Sequence, residues 1–306
     1  GKPVIPKFIQ SLMNPGDGVL YPNPGYPIYE SQIEFYGGHA LPYGYLASDD
    51  GFQIDREGLE DVINDNTRLL IYNNYQNPMG SESSMDEMEW MATLAQKHDL
   101  FVLSDEAYFN IRYAGTSKSL ASLPGMLERT VILYTFSKTY AMTGWRLGAA
   151  IGPSKLMEVF SKLAVNDESC TNHFIQYGGM EALLGNQNGA KNILEVLKKR
   201  RDCLANHLNE IPGMSLHKPD STFYLFPDMT DIYDQMGCKS YEDFRSRILR
   251  ETGVSFCTRE HFGTPLENED RKYIRFAYSG IPTEKIDEGM EKLKIYLSKV
   301  DIVIPA

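Results

Sequence analysis

Three short segments carry side chains able to do chemistry. Lys138 lies in Thr135-Phe136-Ser137-Lys138-Thr139-Tyr140, directly after the apolar run Val131 to Tyr134 and eight residues before Arg146. A lysine in a turn behind a buried strand loses hydration, and a desolvated ammonium gives up its proton to become an amine nucleophile. Asp105 ends the run that starts at Leu100, in Ser104-Asp105-Glu106-Ala107-Tyr108, and Asn77 follows Leu69 to Tyr72 in Gln76-Asn77-Pro78-Met79-Gly80. Taken singly these have ordinary readings: a solvated loop lysine, a helix-capping aspartate, an Asn-Pro turn. Arg146, in an otherwise apolar stretch, calls for an anion, either a ligand or a structural carboxylate. If the three runs are neighbouring parallel strands, an amine, a carboxylate, an amide and the phenol of Tyr108 share one rim.

The elements that must position them are read from hydrophobic patterning. Val19 to Tyr21, Leu69 to Tyr72, Leu100 to Leu103, Val131 to Tyr134 and Leu147 to Ile151 are apolar without alternation, as strands covered on both faces are. Amphipathic stretches separate them. Tyr26 to Tyr36 stops at Gly37-Gly38, and Ser84 with Glu87 spells a capping box for a helix running to about His98. This rhythm predicts an α/β fold over 1–185, a mostly parallel sheet with helices on both faces. Such sheets bind ligands at the carboxyl ends of their strands. A linking helix is predicted over 186–211, with Ile193, Leu197, Leu204, Leu208 and Ile211 on one stripe and Lys198, Lys199, Arg200 and Arg201 turned largely outward. A smaller α+β domain is predicted over 212–306, with strands near Phe223 to Phe226 and Tyr273 to Ala277, and helices over Tyr241 to Glu251 and Thr283 to Ser298.

Composition narrows the class. The 306 residues suffice for about two domains with cores of their own. Lys and Arg number 30 against 41 Asp and Glu, a net charge of −11 that argues against a nucleic-acid partner. No apolar stretch approaches the ~20 residues of a membrane span, and Gly1-Lys2-Pro3 opens no signal-peptide core, so a cytoplasmic enzyme is expected. Cys170, Cys203, Cys238 and Cys257 lie far apart, without a Cys-x-x-Cys or paired His spacing, so reduced thiols and no metal centre are expected. The glycine fingerprints of dinucleotide and P-loop sites and the Gly-x-Ser-x-Gly elbow are missing.

Read jointly, the chemical segments resemble the fold-type-I, pyridoxal-phosphate-dependent aminotransferases of class I/II. The resemblance rests on Asn14-Pro15-Gly16-Asp17, Pro22-Asn23-Pro24-Gly25-Tyr26-Pro27, Asn77-Pro78-Met79-Gly80, Ser104-Asp105-Glu106-Ala107-Tyr108, Tyr273-Ile274-Arg275-Phe276 and, most specific, Ser137-Lys138 leading into Met142-Thr143-Gly144-Trp145-Arg146. It implies that Lys138 forms the internal aldimine with the aldehyde of pyridoxal 5′-phosphate and then moves a proton, and that Asp105 pairs with the pyridine nitrogen. Tyr108 and Asn77 would donate to the phenolic oxygen, and Tyr26 would stack on the ring. Thr135, Ser137 and Arg146 would hold the phosphate, with Gly1 and Lys2 opening the phosphate loop ahead of a helix that starts near Pro3. Arg275 would clamp the substrate α-carboxylate, beside Asn77 and Tyr26.

The same resemblance implies an L-amino acid and a 2-oxo acid as substrates, a two-stage ping-pong cycle and a homodimer. C–S β-lyases, ACC-synthase-like lyases and a cofactor-binding form without turnover share these contacts and stay open as alternatives. About a further quarter of chain would precede the phosphate loop in this family, so a chain opening at Gly1 is expected to lack a lid and part of the small domain. Side-chain preference is expected from loops over Phe174 to Gly179 and Phe256 to Thr264, where Thr258, Arg259 and His261 are candidates for reading a distal polar group.

Overall fold

The apolar runs of the first half become the middle of one sheet. A computed structural model describes residues 1–48, 51–267 and 269–299. The end of the domain predicted over 212–306, residues 300–306, lies outside the described residues. Along the chain the strands are β1 (Gly18–Pro22), β2 (His39–Tyr43), β3 (Tyr45–Ser48), β4 (Gly51–Ile54), β5 (Thr67–Tyr72), β6 (Phe101–Asp105), β7 (Thr130–Thr135), β8 (Gly148–Ile151), β9 (Tyr224–Leu225), β10 (Cys257–Thr258) and β11 (Ile274–Ala277). The helices are α1 (Val4–Leu12), α2 (Ile28–Phe35), α3 (Arg56–Asp61), α4 (Met85–Lys97), α5 (Phe136–Thr139), α6 (Ser154–Asp167), α7 (His173–Leu184), α8 (Asn188–Asn209), α9 (Thr230–Gln235), α10 (Tyr241–Thr252) and α11 (Thr283–Leu297).

The main sheet has the order β2-β1-β5-β6-β7-β8, parallel except for β8, which runs antiparallel to β7. β1, β5, β6 and β7 are central and covered on both faces. Val4, Ile5, Phe8 and Ile9 of α1, Tyr29 and Ile33 of α2, and Leu156 and Phe160 of α6 cover one face, while Leu59 of α3 and Met88, Met91 and Leu94 of α4 cover the other. The run Leu147 to Ile151 departs from the prediction: it forms an edge strand, and Ile151 is 54% exposed.

Local signals explain several boundaries. Gly37 takes φ +80° after α2, and the Gly38 N–H returns to the Ile33 carbonyl at 3.0 Å, closing that helix. Ser84 Oγ accepts from the Glu87 N–H at 3.1 Å as a capping box requires. The Glu87 carboxylate instead accepts from the Ile54 N–H at 2.7 Å, tying β4 to α4. Phe174 to Gly179, read as a loop, belongs to α7. Its glycines allow a close approach: a Cβ on Gly178 would stand 2.8 Å from the Trp145 ring, and one on Gly179 2.5 Å from Leu147.

In the second half, β10, β11 and β9 form an antiparallel sheet in that order. The stripe Leu197, Leu204 and Leu208 of α8 packs with Phe244 and Ile248 of α10 and Met290 and Leu293 of α11 in one core. Arg201 corrects the outward reading of its cluster. It is 4% exposed, bonded to Asp220 and the Pro219 carbonyl at 2.8 and 2.9 Å, with its guanidinium 4.5 Å from the Tyr113 ring centre. A buried guanidinium is tolerated where its donors are used in this way. Among the described residues no helix is long and apolar enough to cross a membrane.

Candidate active site

The carboxyl ends of β5, β6 and β7 are neighbours, which puts Asn77, Asp105 and Lys138 on one rim. Asp105, the last residue of β6, is buried; its Oδ2 accepts from the Tyr29 hydroxyl at 2.6 Å and its Oδ1 from the Ala107 N–H at 3.1 Å. Burial raises its pKa above the usual carboxylate range, against the pull of those two donors. At the end of β7, Thr135 Oγ1 accepts from the Ser137 N–H at 3.3 Å and starts the single turn α5, which carries Lys138. Lys138 Nζ lies 5.7 and 5.5 Å from the ring centres of Tyr108 and Phe223 and forms no hydrogen bond or ion pair among the described residues. Burial, then the charges of Arg275 and Arg146, lower its pKa below the ordinary lysine value, with Asp105 opposing.

A cavity of about 480 Å³ brings the predicted residues together: Gly1, Lys2, Tyr26, Asn77, Asp105, Tyr108, Thr135, Ser137, Lys138, Arg146 and Arg275 all line it. Thr135, Ser137, Gly1 and Arg146 line one part of it. Thr135 Oγ1 donates to Ser137 Oγ at 3.1 Å, and Gly1 packs so closely on Gly148 that a Cβ on the latter would stand 2.1 Å from the Gly1 nitrogen. Arg146 is held in the left-handed region at φ +58°, ψ +43°, a conformation that costs a non-glycine residue about 1–2 kcal/mol. Its guanidinium bonds the Thr143 carbonyl at 2.8 Å and meets no carboxylate among the described residues, so the structural-carboxylate alternative falls away.

Another part is built around Arg275 on β11. Its Nη1 donates to Asn77 Oδ1 at 2.6 Å, and its guanidinium lies between the rings of Tyr224 and Phe262, at 4.1 and 4.6 Å from their centres. Its Nε is buried without a partner among the described residues. Tyr224 also shares a 2.6 Å hydrogen bond with the Tyr108 hydroxyl, and its own ring packs edge to face on that of Tyr108. Tyr224, Phe262 and Tyr29 were not anticipated. Only Tyr29 left a signal, standing one helical turn from Tyr26, whose ring it meets edge-on at 5.8 Å.

The specificity candidates separate. Arg259 does not reach the cavity: it is fully buried, bonded to Glu269 at 2.6 and 2.7 Å, to Asn23 Oδ1 at 2.7 Å and to the Gly263 carbonyl at 3.1 Å. Thr258 is buried too. Its N–H donates to His261 Nδ1 at 3.2 Å and its hydroxyl lies 2.8 Å from the same atom. With Nδ1 accepting, the ring proton of neutral His261 sits on Nε2, and His261 lines the cavity.

A family model described as Aminotransferase class I and II matches residues 3–293. The chain is 32% identical over 294 residues to an aspartate aminotransferase of Musicola paradisiaca, a match covering 96% of this chain and 71% of that protein. It is 30% identical to an asparagine–oxo-acid transaminase of Streptococcus mutans, covering 97% of this chain and 74% of that one. Among solved structures, an aromatic aminotransferase from Pyrococcus horikoshii superposes with a TM-score of 0.90 at 30% identity, covering 99% of this chain and 79% of that one. Since the matched span runs from α1 to α11 and takes in the strand rim and the Arg275 strand alike, the chain belongs to the class I and II aminotransferases.

Proposed function

We propose that the protein moves an amino group between an L-amino acid and a 2-oxo acid, with pyridoxal 5′-phosphate held in the cavity. The observation that carries this reading is Lys138 Nζ: a desolvated amine without a hydrogen-bond partner among the described residues, in one cavity with the buried carboxylate of Asp105 and with two guanidinia, Arg146 and Arg275, that meet no carboxylate among those residues. The donor set suits the cofactor. Thr135, Ser137 and Arg146, with Gly1 and Lys2 ahead of α1, suit a phosphate; Asp105, with its pKa raised by burial, suits a cationic ring N–H; Tyr108 and Asn77 suit a phenolic oxygen; Tyr26 suits a ring face. Lys138 Nζ would hold the aldehyde carbon. When bound, the cofactor supplies an electron sink for the pair left at the substrate Cα.

The chain's own groups do the rest. Arg275 presents a guanidinium whose only oxygen acceptor among the described residues is Asn77, with Cys257 Sγ 3.8 Å from Nη2, so N–H groups remain for a substrate α-carboxylate. The rings of Tyr224 and Phe262 keep that guanidinium in plane and exclude water from its faces. Lys138, whose burial favours the uncharged amine, would accept the Cα proton at Nζ. His261 offers its Nε2 proton to the substrate side chain.

A homodimer belongs to the same proposal: Phe174, Tyr177, Met180 and Leu184 stand on α7, exposed by 70, 59, 53 and 82%, an apolar face that a second copy would cover. Free cysteines and the net charge of −11 support a cytoplasmic protein acting on small molecules without nucleic acid or membrane partners. The test is reconstitution with pyridoxal phosphate and a screen of amino acids against 2-oxoglutarate. A matched pair of new amino acid and new 2-oxo acid is expected. Pyruvate with ammonia and no new amino acid would assign a lyase instead, and no reaction with any donor would overturn the proposal for this chain.

A further inference from the structure

Away from the cavity, on the outer side of the α8–α11 pair, three side chains of different donor type meet. Cys203 and His207 are one turn apart on α8, and Asp287 and Glu291 one turn apart on α11. Cys203 Sγ lies 3.1 Å and His207 Nε2 2.8 Å from the same Asp287 oxygen, and all three ligand atoms fall within 4.8 Å of one another. Glu291 Oε1 stands 3.8 Å from the other imidazole nitrogen, Nδ1.

We propose that Cys203, His207 and Asp287 form a binding site for a single Zn²⁺ ion, unconnected with amino transfer. The donor set of thiolate, imidazole and carboxylate is the one zinc favours, and three protein donors leave a fourth position for water. Both helices are anchored beneath the cluster by Leu204, Leu208, Met290 and Leu293, so the donors are presented on rigid elements. Glu291, 3.8 Å from Nδ1, would with a small side-chain shift supply the carboxylate that metal-bound histidines commonly use to orient the ring. Lys294 Nζ contacts Nδ1 at 2.9 Å, but it also bonds Glu210 and lies 3.3 Å from Glu291, so it keeps carboxylate partners when the ring proton moves to Nδ1. Asp287, Glu291 and Glu210 outnumber that single lysine, and the local field favours a cation.

On binding, the thiol proton leaves to solvent, the imidazole proton moves from Nε2 to Nδ1, and no electron is transferred. The cluster escaped the sequence reading because Cys-x₃-His supplies only half a site and Asp287 is far along the chain.

The test uses the full chain, loaded with pyridoxal phosphate so that the cavity is filled. One equivalent of Zn²⁺ should be retained through desalting, and Co²⁺ in its place should give the near-ultraviolet band of a cobalt–thiolate. Cys203→Ser should abolish that band, and Asp287→Asn, which keeps both the thiol and the imidazole, should weaken Zn²⁺ binding tenfold or more. Glu291→Gln should weaken it about tenfold. Activity with amino acids should be unchanged in all three variants. No retained Zn²⁺, or a cobalt band that survives Cys203→Ser, would overturn the proposal, whatever the outcome for amino transfer.

Discussion

Replacing Arg275 by lysine separates charge from shape at the group proposed to bind the substrate α-carboxylate. Arginine offers a planar fork stacked between Tyr224 and Phe262, whereas lysine keeps the charge on a single rotating ammonium. A charge-assisted hydrogen bond contributes about 1.5–3 kcal/mol. Lysine keeps one of the two that the fork makes to a carboxylate, so the loss is about 1.5–3 kcal/mol, or roughly 10- to 150-fold in kcat/KM. Alanine loses both bonds, about 3–6 kcal/mol, for a fall of about 10²- to 10⁴-fold, and leaves buried Asn77 Oδ1 without its donor, at a stability cost of about 1–3 kcal/mol.

The assay is the first half-reaction by stopped flow, comparing the best amino acid with the amine that lacks only its α-carboxylate. Arg275→Lys and Arg275→Ala should slow the amino acid by those factors and leave the amine close to its wild-type rate. Urea melts of both variants separate a weakened site from a weakened fold. If amino acid and amine fall together, or if the lysine variant stays within twofold of wild type, Arg275 does not bind the α-carboxylate.

Three other outcomes follow from the geometry. Burial lowers the Lys138 pKa, so the folded state holds that proton less tightly than the unfolded chain does; the penalty applies below the folded pKa and vanishes as pH rises through the unfolded value of 10.5. Apoprotein carrying Lys138→Met should therefore melt above wild type at pH 7, with the gap closing toward pH 10.5; an equal or lower melting temperature at pH 7 would refute the desolvation. Tyr29→Phe removes a donor that lowers the Asp105 pKa, so the carboxylate protonates at higher pH and pyridoxal phosphate affinity should fall more at pH 6 than at pH 8, measured by equilibrium binding; an equal loss at both would deny Asp105 its pairing role. Arg259→Met leaves Glu269 and Asn23 facing a buried apolar group and should cost about 3–5 kcal/mol in urea unfolding, with the order of preference among amino donors unchanged.

The parts of the molecule legible in sequence are those whose environment is uniform along the chain. β1, β5, β6 and β7 are buried on both faces and read as unbroken apolar runs, and the polar residues at or a few positions past the ends of three of them mark the rim. β8 has a similar composition but lies at the edge, and nothing in Leu147 to Ile151 records that it has a neighbour on one side only. Helix α7 was hidden by Gly178 and Gly179, whose local signature is a loop and whose actual role is to let the helix approach Trp145 and Leu147.

What was illegible has a common physical cause: the partner is remote. Arg201 sits in a run of four basic residues, and only Asp220 and the Pro219 carbonyl, brought back from another segment, make its burial tolerable. Arg259 is held by Asn23, 236 positions away, and by Glu269. Charge type alone read both as exposed or substrate-facing, yet a guanidinium's position depends on whether all its donors are met, which is a property of the fold. Arg275 and Arg146 are the converse: both line the cavity and neither meets a carboxylate among the described residues. Two arginines that meet carboxylates and two that meet none among the described residues, in one chain, differ in what the fold brings to them, and the two without line the cavity that holds Lys138.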